Sequence, residues 1–215
     1  MDQLAAERFV LPVSWLMEAA GWQIARHCRG RTYVVCGRGN NGGDGMAAAR
    51  HLHRWGRLAG VACIDPAGLS GPALEEANAL KAQGVEIAAE PEFGDAQLVV
   101  DALLGTGLSR PPVGRVADWI EAMNASGRRV VSVDVPSGLD ADSGLVAGAC
   151  VQAAVTVTLG LPKKGLLSAE GPAYAGEVWV VDIGMPFEAY AAIGIELPPH
   201  LFAMHDRFQL AAVRL

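Results

Sequence analysis

The sequence predicts an α/β protein: a three-layer α/β/α arrangement around a mostly parallel sheet. Three observations carry this. Short, continuously apolar runs alternate with helical patterns over about the first two thirds of the chain, as expected where helices cover both faces of a parallel sheet. Glycine-rich turns follow several of those runs. The chain has 215 residues, 51% hydrophobic and 19% charged, enough for one domain with a sizeable core.

The elements follow in order. Residues 13–28 read as a helix, because Leu16, Met17, Ala20, Ile24 and Ala25 recur at helical spacing. Residues 32–36 form a short buried strand. Residues 46–55 are a helix with Ala48, Leu52 and Trp55 on one stripe, and 58–64 the next strand. Residues 74–83 are helical and stop at Gly84, a C-terminal cap. A strand at 98–102 leads to an amphipathic helix at 114–125, with Val116, Trp119, Ile120 and Met123 on one face. Further strands are expected at 129–133, 155–159 and 177–181. The whole of 1–215 is read as a single domain. Residues 187–215 form its irregular tail, either a docking arm or a junction to a missing domain.

Bulk properties exclude some functions. The formal net charge of −6 disfavours general nucleic-acid or anionic-membrane binding. The first ten residues lack a signal-peptide pattern, and no apolar run approaches the ~20 residues that span a bilayer. Cys28, Cys36, Cys63 and Cys150 contain no Cys-x-x-Cys pair, which disfavours structural zinc and suits a reducing compartment. A cytoplasmic protein is expected. His51 and His53 are expected on the wet side of their helix.

The motifs converge on one edge of the sheet. Gly37-x-Gly39-x-x-Gly42 sits between a strand and a helix, where backbone N–H groups favour a phosphate. Asp65 falls where a ribose-binding acid would end the second strand. Asn40, Asn41 and Asp44 add polar groups that a bare phosphate loop does not need. Asp101 ends one strand and meets the turn Gly105-Thr106-Gly107; Asp134 ends another and meets Pro136-Ser137-Gly138. Strand carboxyl ends are where open α/β sheets bind ligands. Carboxylate, amide and hydroxyl oxygens together suit a hard cation. Lys163 or Lys164, after a later strand, would face a phosphate or carboxylate. No Walker motif and no Gly-x-Ser-x-Gly elbow is present.

With these segments in view, the chain resembles the NAD(P)H-hydrate epimerase family, the YjeF N-terminal domain. The resemblance rests on Leu16-Met17-Glu18-x-Ala20-Gly21, Gly39-Asn40-Asn41-Gly42-Gly43-Asp44-Gly45, Asp101-Ala102-Leu103-Leu104-Gly105-Thr106-Gly107, Asp134-Val135-Pro136-Ser137-Gly138-Leu139-Asp140 and Asp182-Ile183-Gly184. It implies a Rossmann-like fold and an isomerase that interconverts the R and S forms of hydrated NADH and NADPH (NADHX and NADPHX). An ADP- or ATP-dependent dehydratase, fused in some members, then restores the cofactor from the S form. It further implies substrate contacts from Asn40, Asn41, Gly42, Gly43 and Asp44, from the loop Gly105, Thr106, Gly107, Leu108, Ser109, Arg110 and Pro111, and from Asp134. A potassium ion would be held by Asn41, Asp101 and Ser137, and the protein would be a homodimer. Asp134 is the expected proton-transfer group and Lys163 its helper. Ala19 stands where the family usually carries asparagine. The alternative is a non-catalytic nucleotide-binding or protein-interaction module on the same fold.

Overall fold

The computed structural model describes residues 1–108 and 110–210. Its strands are β1 (Thr32–Cys36), β2 (Leu58–Cys63), β3 (Ile87–Ala88), β4 (Leu98–Ala102), β5 (Arg129–Val133), β6 (Val155–Leu159), β7 (Glu177–Val181) and β8 (Arg207–Gln209). They form one sheet in the order β3-β2-β1-β4-β5-β6-β7-β8. Every neighbouring pair is parallel except β7 with β8. The expected α/β architecture is therefore observed.

Alternation along the strands builds two cores. Val34, Cys36, Val100 and Ala102 face one layer, whereas Tyr33, Val35, Val99 and Leu103 face the other. The first layer holds α1 (Asp2–Phe9), α2 (Val13–His27), α3 (Asn40–Arg54), α4 (Gly71–Ala82) and α7 (Phe187–Ala191). The second is covered by α5 (Arg115–Ala125), through Trp119, Ile120 and Met123. A short helix, α6 (Gly171–Ala175), precedes β7. All four cysteines are free and buried. Among the described residues no helix is long and apolar enough to cross a membrane.

The structure departs from the sequence reading at identifiable places. Helix α3 starts at Asn40, not at residue 46, so the glycine-rich segment is itself the first helical turns. Glycines are poor helix formers, which makes them read as a turn. Here close packing requires them: a Cβ on Gly42 would strike the Gly37 carbonyl, and one on Gly43 would sit 2.5 Å from the Met17 methyl. Helix α4 begins at Gly71 with Pro72 in its first turn. Its end matches: Gly84 adopts φ 80°, and Val85 N–H bonds the Leu80 carbonyl.

His51 is a correction. It was expected in water but is 5% exposed, because α2 packs across that face of α3. Its ring meets Trp22 edge-on at 5.3 Å, and burial lowers its pKa. His53 is exposed. The tail read as irregular carries α7 and β8, the latter closing the β7 edge.

Candidate active site

Strand β1 lies between β2 and β4, so the chain leaves it in opposite directions on its two sides. Such a switch point opens a crevice beyond the strand carboxyl ends. A cavity of about 1470 Å³ occupies that position. It exceeds the roughly 300–1,000 Å³ of ordinary ligand pockets.

Beneath the cavity lies Asp101, the fourth residue of β4. Its register partner is Ser132 of β5, whose hydroxyl donates to Asp101 Oδ2 at 2.8 Å. The Ser137 N–H donates to the same oxygen at 2.9 Å, and the Ser137 hydroxyl to Oδ1 at 2.6 Å. Leu103 N–H adds a longer contact of 3.3 Å. Asp101 is fully buried with no cationic side chain among these partners. Burial raises its pKa, and the hydrogen bonds from Ser137, Ser132 and Leu103 oppose the rise. Ser137 Oγ also accepts from Leu104 N–H at 2.8 Å, and the Leu104 carbonyl accepts from Asn41 Nδ2 at 2.8 Å. Asn41, Asp101 and Ser137 thus belong to one connected set through Leu104.

On the cavity wall Asp134 follows β5 directly, with φ 67°, in the left-handed region. Few residues other than glycine adopt it, though aspartate does so more readily than most. The turn is closed by Asp134 N–H to the Val157 carbonyl at 2.8 Å and by Pro136, which cannot extend the ladder. The carboxylate pairs with Lys163 Nζ and accepts Leu159 N–H at 3.1 Å. Lys163 is held in turn by the carbonyls of Leu159 at 2.9 Å and Leu161 at 3.1 Å. Both side chains are mostly buried, at 13% exposure for Asp134 and 21% for Lys163. Lys164 is exposed and also lines the cavity, and the lysine that stands against a carboxylate is Lys163.

The cavity gathers most of the other expected residues. Asn40, Asn41, Asp44, Gly105, Thr106, Gly107, Leu108, Arg110 and Pro111 line it with Asp134 and Lys163. Ser109 lies outside the described residues. Gly42 and Gly43 are buried within the start of α3 and do not line the cavity; their lack of a side chain lets the helix approach Gly37 and Met17. Asp65 borders the cavity 3.6 Å from Arg38 and caps a short turn at Gly68. Ala19 packs half-buried against the core, and its neighbour Ala20 lines the cavity instead.

Several lining residues had no sequence signal, Asp2 and Tyr190 among them. Asp2, in α1, accepts a hydrogen bond from Asn40 Nδ2 at 3.1 Å. Tyr190, in α7, reaches the cavity with its hydroxyl against Gly160, where a side chain would collide. Both arrive from helices at the ends of the chain.

The sheet order and its switch-point cavity define a Rossmann-like α/β protein. More narrowly, the chain belongs to the family described as YjeF-related protein N-terminus, whose model matches residues 13–165. The NAD(P)H-hydrate epimerase of Dehalogenimonas lykanthroporepellens is 38% identical over 91% of this chain and 83% of its own length. The bifunctional NAD(P)H-hydrate repair enzyme Nnr of Thermofilum pendens is 40% identical over 86% of this chain. This chain spans only 38% of that relative's length. The crystal structure of yeast ynu0 superposes with a TM-score of 0.79, covering 97% of this chain and 95% of its own, at 24% identity. That likeness is one of fold.

Proposed function

We propose that this chain is an NAD(P)H-hydrate epimerase, interconverting the R and S forms of NADHX and NADPHX. The observation that carries the reading is the Asp134–Lys163 pair, opening onto a cavity large enough for a dinucleotide. Relatives named for this activity match most of the chain, such as the one at 38% identity. The reacting carbon bears a hydroxyl and adjoins the ring nitrogen. Departure of the hydroxyl leaves a planar iminium, and water returns to the other face. The step needs groups that give and take a proton. Asp134 is one, with Lys163 setting its charge and position.

In this reading Asn40, Asn41, Asp44 and the loop 105–111 bind the substrate, with Asp134 as a further contact. Gly42 and Gly43 act through the backbone of the α3 start, whose N–H groups favour phosphate. Potassium fits the set formed by Asn41, Asp101 and Ser137. Asp101 is a fully buried carboxylate whose hydrogen-bond partners are neutral oxygens and amides. Such oxygen donors suit a hard cation, which would offset the buried charge. Exchanging potassium for choline at equal ionic strength is expected to lower the melting temperature and the epimerase rate. Asp101→Asn should lose that response; an unchanged wild type in choline would remove potassium from the account.

A dehydratase that consumes the S form is the functional partner, a reading supported by relatives such as the bifunctional NAD(P)H-hydrate repair enzyme of Thermofilum pendens. Four buried free cysteines favour a reducing compartment such as the cytoplasm, which cell fractionation would test. Trp15 and Trp22 of α2, 66% and 40% exposed, suggest a homodimer contact. Sedimentation at micromolar concentration would return a monomer if they are not one.

A coupled assay tests the function. R-form NADHX is supplied with an S-specific dehydratase and its nucleotide, and NADH recovery is followed with and without this protein. Recovery well above spontaneous epimerisation is expected. Recovery at the spontaneous rate from folded protein rejects the enzyme.

A further inference from the structure

Asp44 is a second buried carboxyl in the cavity wall, and it differs from Asp134 in its partners. It is the fifth residue of α3 and only 9% exposed, yet it lines the cavity. Among the described residues its carboxyl makes no hydrogen bond and no ion pair, whereas Asp134 is engaged by Lys163, Leu159 and Thr158. Burying an ionised carboxylate without partners is costly, so such a group holds its proton to a higher pH than usual. Its placement follows from the glycines on either side. Gly43 lets α3 close on Met17 and Gly45 lets it close on Ala102, which carries residue 44 into the cleft.

The charged groups that act on Asp44 come from α1, α4 and the segments after β5 and β6. Burial acts first to push its pKa well above the usual carboxylate range; Asp134 after β5, Asp2 of α1 and Glu76 of α4 push the same way. Lys163 opposes them. Tyr190 of α7, pushed up to about 12, stays neutral throughout the working range. Asp44 thereby holds its proton to higher pH than an ordinary carboxyl, while Asp134 stands against the Lys163 ammonium.

We infer that Asp44 donates the proton that releases the substrate hydroxyl, while Asp134 receives the proton of the incoming water. The inference rests on the epimerase reading above. The carbon–oxygen bond breaks, and its electron pair leaves on oxygen with the Asp44 proton, as water. The ring-nitrogen lone pair becomes the second bond of the iminium, and Asp44 is left as carboxylate. A water molecule then attacks the other face: its oxygen bonds carbon, the iminium pair returns to nitrogen, and Asp134 takes the surplus proton. In the reverse direction the two carboxyls exchange roles. Proton exchange with solvent restores the starting form.

The test compares wild type with Asp44→Asn in the coupled assay across the whole pH range in which both proteins stay folded. Wild-type kcat is expected to fall as pH rises through the raised Asp44 pKa. Asp44→Asn should lose ~10²–10⁴-fold in kcat with little change in KM, and lose that alkaline fall. Its fold is checked by melting temperature, with a signed expectation. A carboxyl whose folded pKa is raised gives stability that is full below its ordinary pKa of 3.8 and lost as pH rises through the folded value. Asp44→Asn escapes that loss, so it should melt above wild type at pH 8. A variant with wild-type kcat, or one raising only KM, overturns the assignment. So does a wild-type kcat with no alkaline fall at any pH where the protein stays folded, which requires no variant at all. A wild type that runs at the spontaneous rate instead fails the epimerase reading itself, which separates the two failures.

Discussion

Asp134→Asn is expected to fold and to lose ~10²–10⁴-fold in kcat for epimerisation, the usual contribution of a positioned acid or base. The amide oxygen can still accept Leu159 N–H, and Lys163 keeps the Leu159 and Leu161 carbonyls at 2.9 and 3.1 Å. What disappears is the anion that could take a proton from water. KM should change less than kcat, because the cavity wall and the α3 backbone remain in place. The coupled assay, run beside a melting curve, checks this. A folded Asp134→Asn with undiminished kcat would move the chemistry elsewhere in the cavity.

Asp101→Ala should be the most destabilising single change near the site, by about 2–5 kcal/mol. Two serine hydroxyls and two backbone N–H groups lose their acceptor. The hydroxyls can turn to other partners. The N–H groups of Ser137 and Leu103 cannot, and a buried unsatisfied donor carries the full desolvation cost. Asp101→Asn keeps one acceptor oxygen and should lose clearly less. Urea unfolding of the three proteins measures the ranking. Equal midpoints for Asp101→Ala and wild type would mean that the network adds nothing to the fold.

The parts of the site visible in the sequence are those marked by a local rule. Asp101 and Asp134 stand out because each ends a continuous apolar run and meets a turn, and both lie on the predicted sheet edge. The six longer strands were legible from the same runs. β3 and β8, at two and three residues, are too short to carry a period and exist through their pairing with β2 and β7. The start of α3 was obscured by glycines whose purpose is tertiary: they answer to Gly37, Met17 and Ala102, not to helix propensity. Asp2 and Tyr190 reach the cavity only because α1 and α7 fold back over it, and nothing adjacent in sequence announces that. His51 was misplaced for the same reason: its burial depends on Trp22 and Glu18 of another helix. That Asp44 finds no partner among the described residues is likewise a three-dimensional property, invisible in a motif of polar side chains.

Under the proposed mechanism, the left-handed backbone at Asp134 sets thermal endurance against chemistry at a single codon. Glycine there would relieve a conformation that costs an ordinary L-residue roughly 1–2 kcal/mol, and asparagine would tolerate it as well as aspartate does. A library screened only for survival at high temperature would therefore be drawn toward replacements at residue 134 that silence the cavity. Engineering this scaffold for robustness calls for holding that position constant and seeking gains elsewhere, on surfaces that the reaction does not touch.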